Sequence, residues 1–150
     1  MREVLGWSVR DLPDAKPRHL LGIGDVDDVV HAVGEGIDTF DCATPTRLAR
    51  HGTALVTDPE NRWRLDLTKA GQRTSREPLV DGCPCEACRN HTRGYLHYLA
   101  RGRELTGARL LTLHNLTFMA EFMRGLRVAI EEGRYAEHAQ RVLAGSEPFS

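Results

Sequence analysis

Three of the four cysteines in this chain lie within six residues, at Cys83, Cys85 and Cys88. A loop this short can place three thiolates around one ion, and His114 can supply a fourth ligand from a separate element. Three thiolates and one imidazole complete the tetrahedral shell that zinc adopts in structural sites. Disulfides are disfavoured, because a Cys-x-Cys pair is difficult to bridge and a trio leaves one thiol over. Structural zinc is therefore the leading interpretation, with disulfides and free thiols as the alternatives.

The composition is that of an ordinary globular domain, with 41% hydrophobic and 27% charged residues among 150. No apolar run is long enough to span a bilayer, and the polar start of the chain does not resemble a secretory signal. We therefore expect a cytoplasmic protein with no membrane partner. A reducing compartment also agrees with cysteines that serve as metal ligands.

The charges are unevenly distributed along the sequence. Residues 42–109 contain twelve Lys or Arg against seven Asp or Glu, although the net charge of the chain is -1. A positive surface in this region would suit a polyanion such as RNA. Eighteen of the twenty basic residues are arginine, however, which can also reflect genomic base composition. Composition alone leaves nucleic-acid binding open.

The first third of the chain predicts a parallel βαβ unit. Residues 18–24 form a short apolar run that ends in glycines, and residues 37–42 form a second one. Between them, Asp25 can cap a helix over residues 26–35. Because the carboxyl ends of parallel strands meet at one edge, residues 22–28 and 41–50 are expected on the same face.

Beyond this unit, the sequence predicts a hairpin, a polar connector and a helical region. Residues 52–56 and 63–68 are predicted to pair as antiparallel strands, and residues 69–78 to connect them to the cysteine cluster. Helices are predicted over residues 92–105, 115–132 and 134–143. One apolar face of the second helix is predicted to be core, namely Phe118, Phe122, Leu126 and Ile130. The remaining six histidines are expected at the surface or at helix ends.

The stretch from Phe40 to Arg50 is the second informative motif. It places Asp41 at the carboxyl end of a strand, followed by a proline-stiffened turn that carries Arg47 and Arg50. A carboxylate in this position can act as a nucleophile on an electrophilic sugar carbon. Arginines beside it can bind phosphates or guanine edges. The alternative is that Asp41 caps a helix or pairs with Arg47.

Taken together, these motifs resemble the C-terminal part of the tRNA-guanine transglycosylases, the queuine tRNA-ribosyltransferase family. Nearly the whole chain takes part, with the 26 residues from Cys88 to His114 matching the family's spacing. The resemblance rests on segments that occur in the family's order: Lys16–Gly24, Gly36–Arg47, Cys83–Cys88, Leu113–Asn115 and Arg127–Ile130.

The resemblance implies a role for each motif. Asp41 matches the nucleophile, which attacks C1′ of the wobble ribose and displaces guanine in favour of a 7-deazaguanine, the queuosine-type modification of tRNA. The zinc ligands would be Cys83, Cys85, Cys88 and His114, holding one structural Zn²⁺ per chain. Two segments would bind tRNA, namely Gly22, Ile23, Gly24, Asp25, Val26, Asp27 and Asp28, and Thr46, Arg47, Leu48, Ala49 and Arg50.

The implied fold class is α/β, a C-terminal fragment of a TIM (β/α)8 barrel that contains its last two strands, with a zinc-binding helical subdomain. The expected divisions are residues 1–50 for the barrel units, 51–82 for the hairpin and connector, and 83–150 for the zinc-binding helical subdomain.

The resemblance also implies that six earlier βα units are missing, and with them a second carboxylate for acid–base catalysis and most of the guanine pocket. We therefore expect a chain that is inactive alone and acts in a homo- or heterodimer, or with a separate chain that supplies the N-terminal barrel units. The alternatives are a non-catalytic zinc-stabilised tRNA-binding subunit and, less favoured, a generic zinc-stabilised interaction domain.

Overall fold

A computed structural model describes residues 2–146 of the chain. Two short sheets and a set of helices follow one another, with the helical part in the second half. The elements are α1 (Arg2–Arg10), β1 (His19–Leu21), α2 (Val26–Gly34), β2 (Thr39–Asp41), α3 (Thr44–Arg50), β3 (Thr53–Leu55), β4 (Arg64–Asp66), a 3-10 turn (Ala70–Gln72), α4 (Glu86–Asn90), α5 (Arg93–Gly102), α6 (Leu105–Glu131) and α7 (Tyr135–Leu143). No helix in this described range is long and apolar enough to cross a membrane.

The predicted βαβ unit is present. β1 and β2 pair in parallel, with Leu20 opposite Phe40 and Leu21 opposite Asp41. Leu20 and Phe40 face the core, whereas Leu21 and Asp41 lie exposed on the opposite face of the pair. Asp25 occupies the N-cap position of α2, as predicted, and its main-chain oxygen accepts a hydrogen bond from Val29 N–H at 3.0 Å. Its side chain makes no capping hydrogen bond.

The segment after β2 is a helix, where the sequence predicted a turn. α3 begins at Thr44 with Pro45 in its first turn, a position where the missing N–H and fixed φ of proline favour a helix. Thr44, Pro45 and Ala49 are buried, so that Arg47 and Arg50 lie on the exposed side.

The hairpin of β3 and β4 confirms the predicted antiparallel pairing, with Thr53 opposite Asp66 and Leu55 opposite Arg64. The strands are shorter than predicted. One edge of β3 pairs with β4, and its other edge faces α6, which supplies side-chain hydrogen bonds to it.

The long helix α6 is the centre of the hydrophobic core. Phe118, Phe122 and Leu126 are almost fully buried, as predicted, but Ile130 is 53% exposed. Each step of four residues rotates a side chain by about 40° more than one full turn of the helix. Three such steps, from Phe118 to Ile130, add up to about 120° and place Ile130 outside the buried face. Ala129, which is completely buried, takes its place.

α6 also begins ten residues earlier than predicted, at Leu105. Its first turns pack closely against α5, because a Cβ added at Gly107 would lie 2.8 Å from Leu99 Cβ. Glycine weakens a helix in isolation, but here it permits this helix–helix contact. Tertiary packing therefore decides the start of the helix.

Two of the histidines predicted to lie at the surface or at helix ends are buried instead. His97 lies on the inner face of α5, where its Nδ1 is 2.6 Å from the carbonyl oxygen of Leu67. His138 lies on the inner face of α7 beside Ala139 and Val142. The prediction was wrong for these two because a histidine on the inner face of an amphipathic helix is carried into the core.

Candidate functional site

The four predicted metal ligands converge on one point. His114 Nδ1 lies 3.6 Å from Cys83 Sγ and 3.4 Å from the sulfurs of Cys85 and Cys88. All four donor atoms lie within 4.8 Å of one another, and none of the cysteines forms a disulfide. A tetrahedral zinc ion with ordinary Zn–S and Zn–N bonds would separate sulfur and nitrogen by about 3.6 Å. The donor set and its spacing therefore fit zinc.

Local structure holds the cysteine loop in a metal-binding shape. Cys85 is the N-cap of α4, and its sulfur accepts a hydrogen bond from the backbone N–H of Cys88 at 3.4 Å. A sulfur in this position is also favoured as a thiolate by the helix dipole. The short helix thus brings Cys88 back towards Cys85.

The orientation of the His114 ring is set by a strand on its other side. Nε2 lies 2.7 Å from the carbonyl oxygen of Leu55, which can only accept a hydrogen bond, so Nε2 carries the proton. Once Nδ1 has lost its proton, its lone pair would be directed at a metal ion held between the three sulfurs. A backbone carbonyl that fixes the tautomer and direction of a histidine ligand is a common feature of metal centres.

Without a metal, the cluster separates charge between its members. Hydrogen bonds from Cys83 and Cys88 lower the pKa of the Cys85 thiol, and the reciprocal bond from Cys85 raises the pKa of Cys83. Burial opposes the protonation of His114, but hydrogen bonds to Cys85 and Cys88 outweigh it and raise the pKa of His114 to about 9. The raised pKa values keep protons on Cys83 and His114, so zinc binding would have to release them.

At the end of β2, the carboxylate of Asp41 is held at one oxygen only. Its Oδ1 accepts a hydrogen bond from the backbone N–H of Gly22 at 2.9 Å, and that N–H also lies 2.9 Å from the main-chain oxygen of Asp41. Within the described residues, no hydrogen bond reaches Oδ2 and no ion pair joins Asp41 to Arg47. The helix that follows has Ala43, not Asp41, as its N-cap. The geometry therefore leaves one carboxylate oxygen of Asp41 exposed and available.

Comparisons with known proteins show the family to which the chain belongs. The family model described as queuine tRNA-ribosyltransferase matches residues 1–148. The chain belongs to the queuine tRNA-ribosyltransferase family. The resemblance predicted from the sequence motifs is thereby confirmed.

Individual members of the queuine tRNA-ribosyltransferase family match most of the chain. The protein of that name from Roseiflexus sp. (strain RS-1) is 53% identical over 136 residues, which are 91% of this chain and 34% of the relative. The protein from Prochlorococcus marinus (strain MIT 9211) is 48% identical over 84% of this chain and 33% of its own length. That from Symbiobacterium thermophilum is 40% identical over 95% of this chain and 35% of the relative. The chain thus spans about a third of the length of these relatives.

The residues that the family resemblance assigned to RNA binding differ in their exposure. Gly24, Val26 and Ala49 are buried, whereas Arg47 and Arg50 are exposed. Val26 already belongs to α2, and the whole segment 46–50 belongs to α3. The two segments therefore present a loop and a helix face, with the two arginines as the most accessible cations.

Asp25, in the first of these segments, is paired with the hairpin. Its two carboxylate oxygens lie 3.0 Å from Arg62 and 2.6 Å from Arg64. Sequence reasoning missed these partners because 37 and 39 residues separate them from Asp25 along the chain. The pairs join the loop near Asp41 to the β3–β4 hairpin.

Asn115 is a second residue whose role was missed. The sequence placed it in a family-like segment and at the start of a helix, but it lies within α6 and is completely buried. A polar amide beside a metal ligand, in a helix with a continuous apolar face, was the available signal. Such a group is rarely buried without hydrogen-bond partners.

Proposed function

We propose that this chain supplies the nucleophile and the zinc-stabilised helical part of a tRNA-guanine transglycosylase. In the proposed reaction, a carboxylate oxygen of Asp41 attacks C1′ of the wobble nucleotide, and the bond from C1′ to N9 of guanine breaks. A 7-deazaguanine then attacks C1′, loses its N9 proton and displaces Asp41, so that two inversions retain the ribose configuration. The observation that carries the proposal is the half-restrained, exposed carboxylate of Asp41 in a member of this family.

Zinc has a structural role in this proposal. Cys83, Cys85, Cys88 and His114 would hold one Zn²⁺ per chain, and four protein ligands leave no open coordination position for a substrate. The ion would link the cysteine segment around α4 with His114 on α6. It would thereby hold the helical part against β3 through the bond between His114 and Leu55.

We further propose that tRNA is recognised by the exposed face of α3. Arg47 and Arg50 lie on this helix, which begins three residues after Asp41. Guanidinium groups bind phosphates or guanine edges through paired N–H donors. A protein acting on tRNA in this way would work in the cytoplasm.

The remaining catalytic groups are proposed to come from further βα units of a TIM barrel. Leaving guanine needs a proton, and the incoming base must lose one, so a second carboxylate is required as acid and base. His19, Leu21, Thr39 and Asp41 form an exposed face on the β1–β2 pair. Parallel sheets are normally covered on both faces, which makes this face the proposed contact with the other units, in a homo- or heterodimer.

A base-exchange assay tests this function. Labelled guanine is incubated with tRNA that carries guanine at the wobble position, with this chain alone and with a polypeptide that contains the other βα units. We expect incorporation only in the combined reaction and its loss with Asp41→Asn, which keeps an oxygen for the Gly22 hydrogen bond but removes the charge. Incorporation that survives this substitution would exclude Asp41 as the nucleophile.

RNA binding is tested separately with an anticodon stem-loop. Replacing Arg47 and Arg50 by alanine should weaken binding and reduce the slope of log K against log salt by about 0.7–0.9 for each phosphate that the two arginines neutralise. Arg141→Ala on α7 is the matched control, because it removes an exposed arginine from a different helix. Equal binding by all variants would exclude α3 as the RNA surface. RNA binding without exchange in any combination would favour a non-catalytic tRNA-binding subunit.

A further inference from the structure

Asn115 connects three elements through hydrogen bonds at the core. Its Oδ1 accepts from the backbone N–H of Leu55 at 2.8 Å, and its Nδ2 donates to the carbonyl oxygens of Pro45 at 2.9 Å and Thr53 at 3.1 Å. Its partners lie 60 to 70 residues away along the chain. The side chain is completely buried, so water does not compete for these bonds.

The neighbouring residue of α6 makes the complementary contact. His114 Nε2 donates to the carbonyl oxygen of Leu55, while its Nδ1 faces the three cysteines. Together, His114 and Asn115 satisfy both backbone groups of Leu55 and the carbonyl of Thr53. These groups lie on the edge of β3 that does not pair with β4, where unpaired N–H and C=O groups would otherwise be buried.

The bond to Pro45 reaches beyond the strand to α3. Pro45 lies in the first turn of α3, whose exposed face carries Arg47 and Arg50. A continuous set of contacts therefore runs from the cysteines through His114 to Leu55, and from Leu55 through Asn115 to Pro45.

We propose that Asn115 is a positioning residue that fixes α3, and with it Arg47 and Arg50, relative to the metal centre. The amide does not touch RNA; it acts by holding the carbonyl of Pro45 in place. For base recognition the inference rests on the proposed function, since it takes α3 as the RNA-reading helix. Its structural part, the anchoring of α3 to the metal-bound helix, stands on the hydrogen bonds alone.

Asn115→Asp tests the inference with little change in shape. A carboxylate still accepts from Leu55 but has no donor for Pro45 and Thr53. His97→Leu is the matched control, because it removes a buried side-chain bond to a backbone carbonyl, that of Leu67, on a helix that does not carry the metal ligand. For both full-length variants, the measurements are zinc content, amide hydrogen exchange by residue, and affinity for two anticodon stem-loops that differ in the bases beside the wobble guanine.

We expect Asn115→Asp to retain one zinc per chain and to speed exchange of the α3 amides at least tenfold, with α5 unchanged. Discrimination between the two stem-loops should fall at least fivefold. His97→Leu should leave both α3 exchange and discrimination at their original values. If Asn115→Asp does not fold, chelation of zinc from the unaltered protein is the second measurement, and α3 exchange should rise together with exchange around His114.

Unchanged α3 exchange in Asn115→Asp, or an equal rise over the whole chain, would overturn the inference. Fast exchange in α3 with full discrimination would overturn its role in recognition. Arg47→Ala separates this result from a failure of the proposed function. If Arg47→Ala also leaves discrimination unchanged, α3 is not the reading helix, and the exchange data alone decide whether Asn115 anchors it.

Discussion

Gly24→Ala tests the packing of the loop beside Asp41. A Cβ added at Gly24 would lie 2.7 Å from Cys42 Cβ and 3.1 Å from its sulfur. Non-bonded carbons normally approach to about 3.5–4.0 Å, so the loop or Cys42 must move by roughly 1 Å. Overpacking of this kind costs about 1–3 kcal/mol in the free energy of unfolding. For a chain of this size, that corresponds to a fall in the melting temperature of roughly 2–12 °C.

The assay compares Gly24→Ala with Gly71→Ala by thermal unfolding. A Cβ at Gly71 meets no atom within 4 Å, so the same chemical change is made in open space. We expect Gly71→Ala to leave the melting temperature unchanged or slightly raised. Because Cys42 directly follows Asp41, Gly24→Ala should also reduce base exchange in the combined reaction. Equal melting temperatures for the two variants would refute the packing argument.

Two further predictions concern stability. The buried Nε2 of His138 has no hydrogen-bond partner among residues 2–146. Burial, followed by the charges of Arg134 and Arg141, lowers the pKa of His138 below the ordinary 6.5. The contribution of neutral His138 to the free energy of unfolding is therefore complete above pH 6.5 and is lost as the pH falls through the lowered pKa. His138→Leu should reduce the fall in melting temperature between about pH 7.5 and about pH 5.5. The same fall in the variant and in the original protein would contradict this. Phe118→Ala should lower the free energy of unfolding by about 3–5 kcal/mol, because Phe118 is almost fully buried. Leu116→Ala, at a position that is 47% exposed on the same helix, should lower it by less than about 0.5 kcal/mol. Similar urea midpoints for the two variants would argue against α6 as the core helix.

Local chemistry made much of the candidate site predictable from sequence. The spacing of Cys83, Cys85 and Cys88 indicated a metal loop because three donors in six residues have few other uses, and His114 lies where the fourth donor was expected. The βαβ unit was also predictable, since glycine-terminated apolar runs around an amphipathic helix have few alternatives. These features depend on residues that are close together in sequence.

The parts that were missed depend on distant contacts. Asp25 is the N-cap of α2, as predicted, but its carboxylate binds Arg62 and Arg64. The early start of α6 is explained by the close packing of Gly107 on Leu99, which no helix propensity indicates. For the same reason, the bond from Asn115 to Pro45 was outside the reach of pattern reasoning, because it joins residues 70 positions apart.

The metal content of the purified chain tests the proposed zinc centre. Native mass spectrometry combined with elemental analysis should find about one zinc per chain, with Cys42 as the only cysteine that reacts readily with a thiol reagent. Cys88→Ser, which removes the most accessible of the three sulfur ligands, should lower zinc retention under chelator. A chain that folds without any metal, with all four cysteines reactive, would show that no zinc centre joins the helical part to the strand and helix beside Asp41.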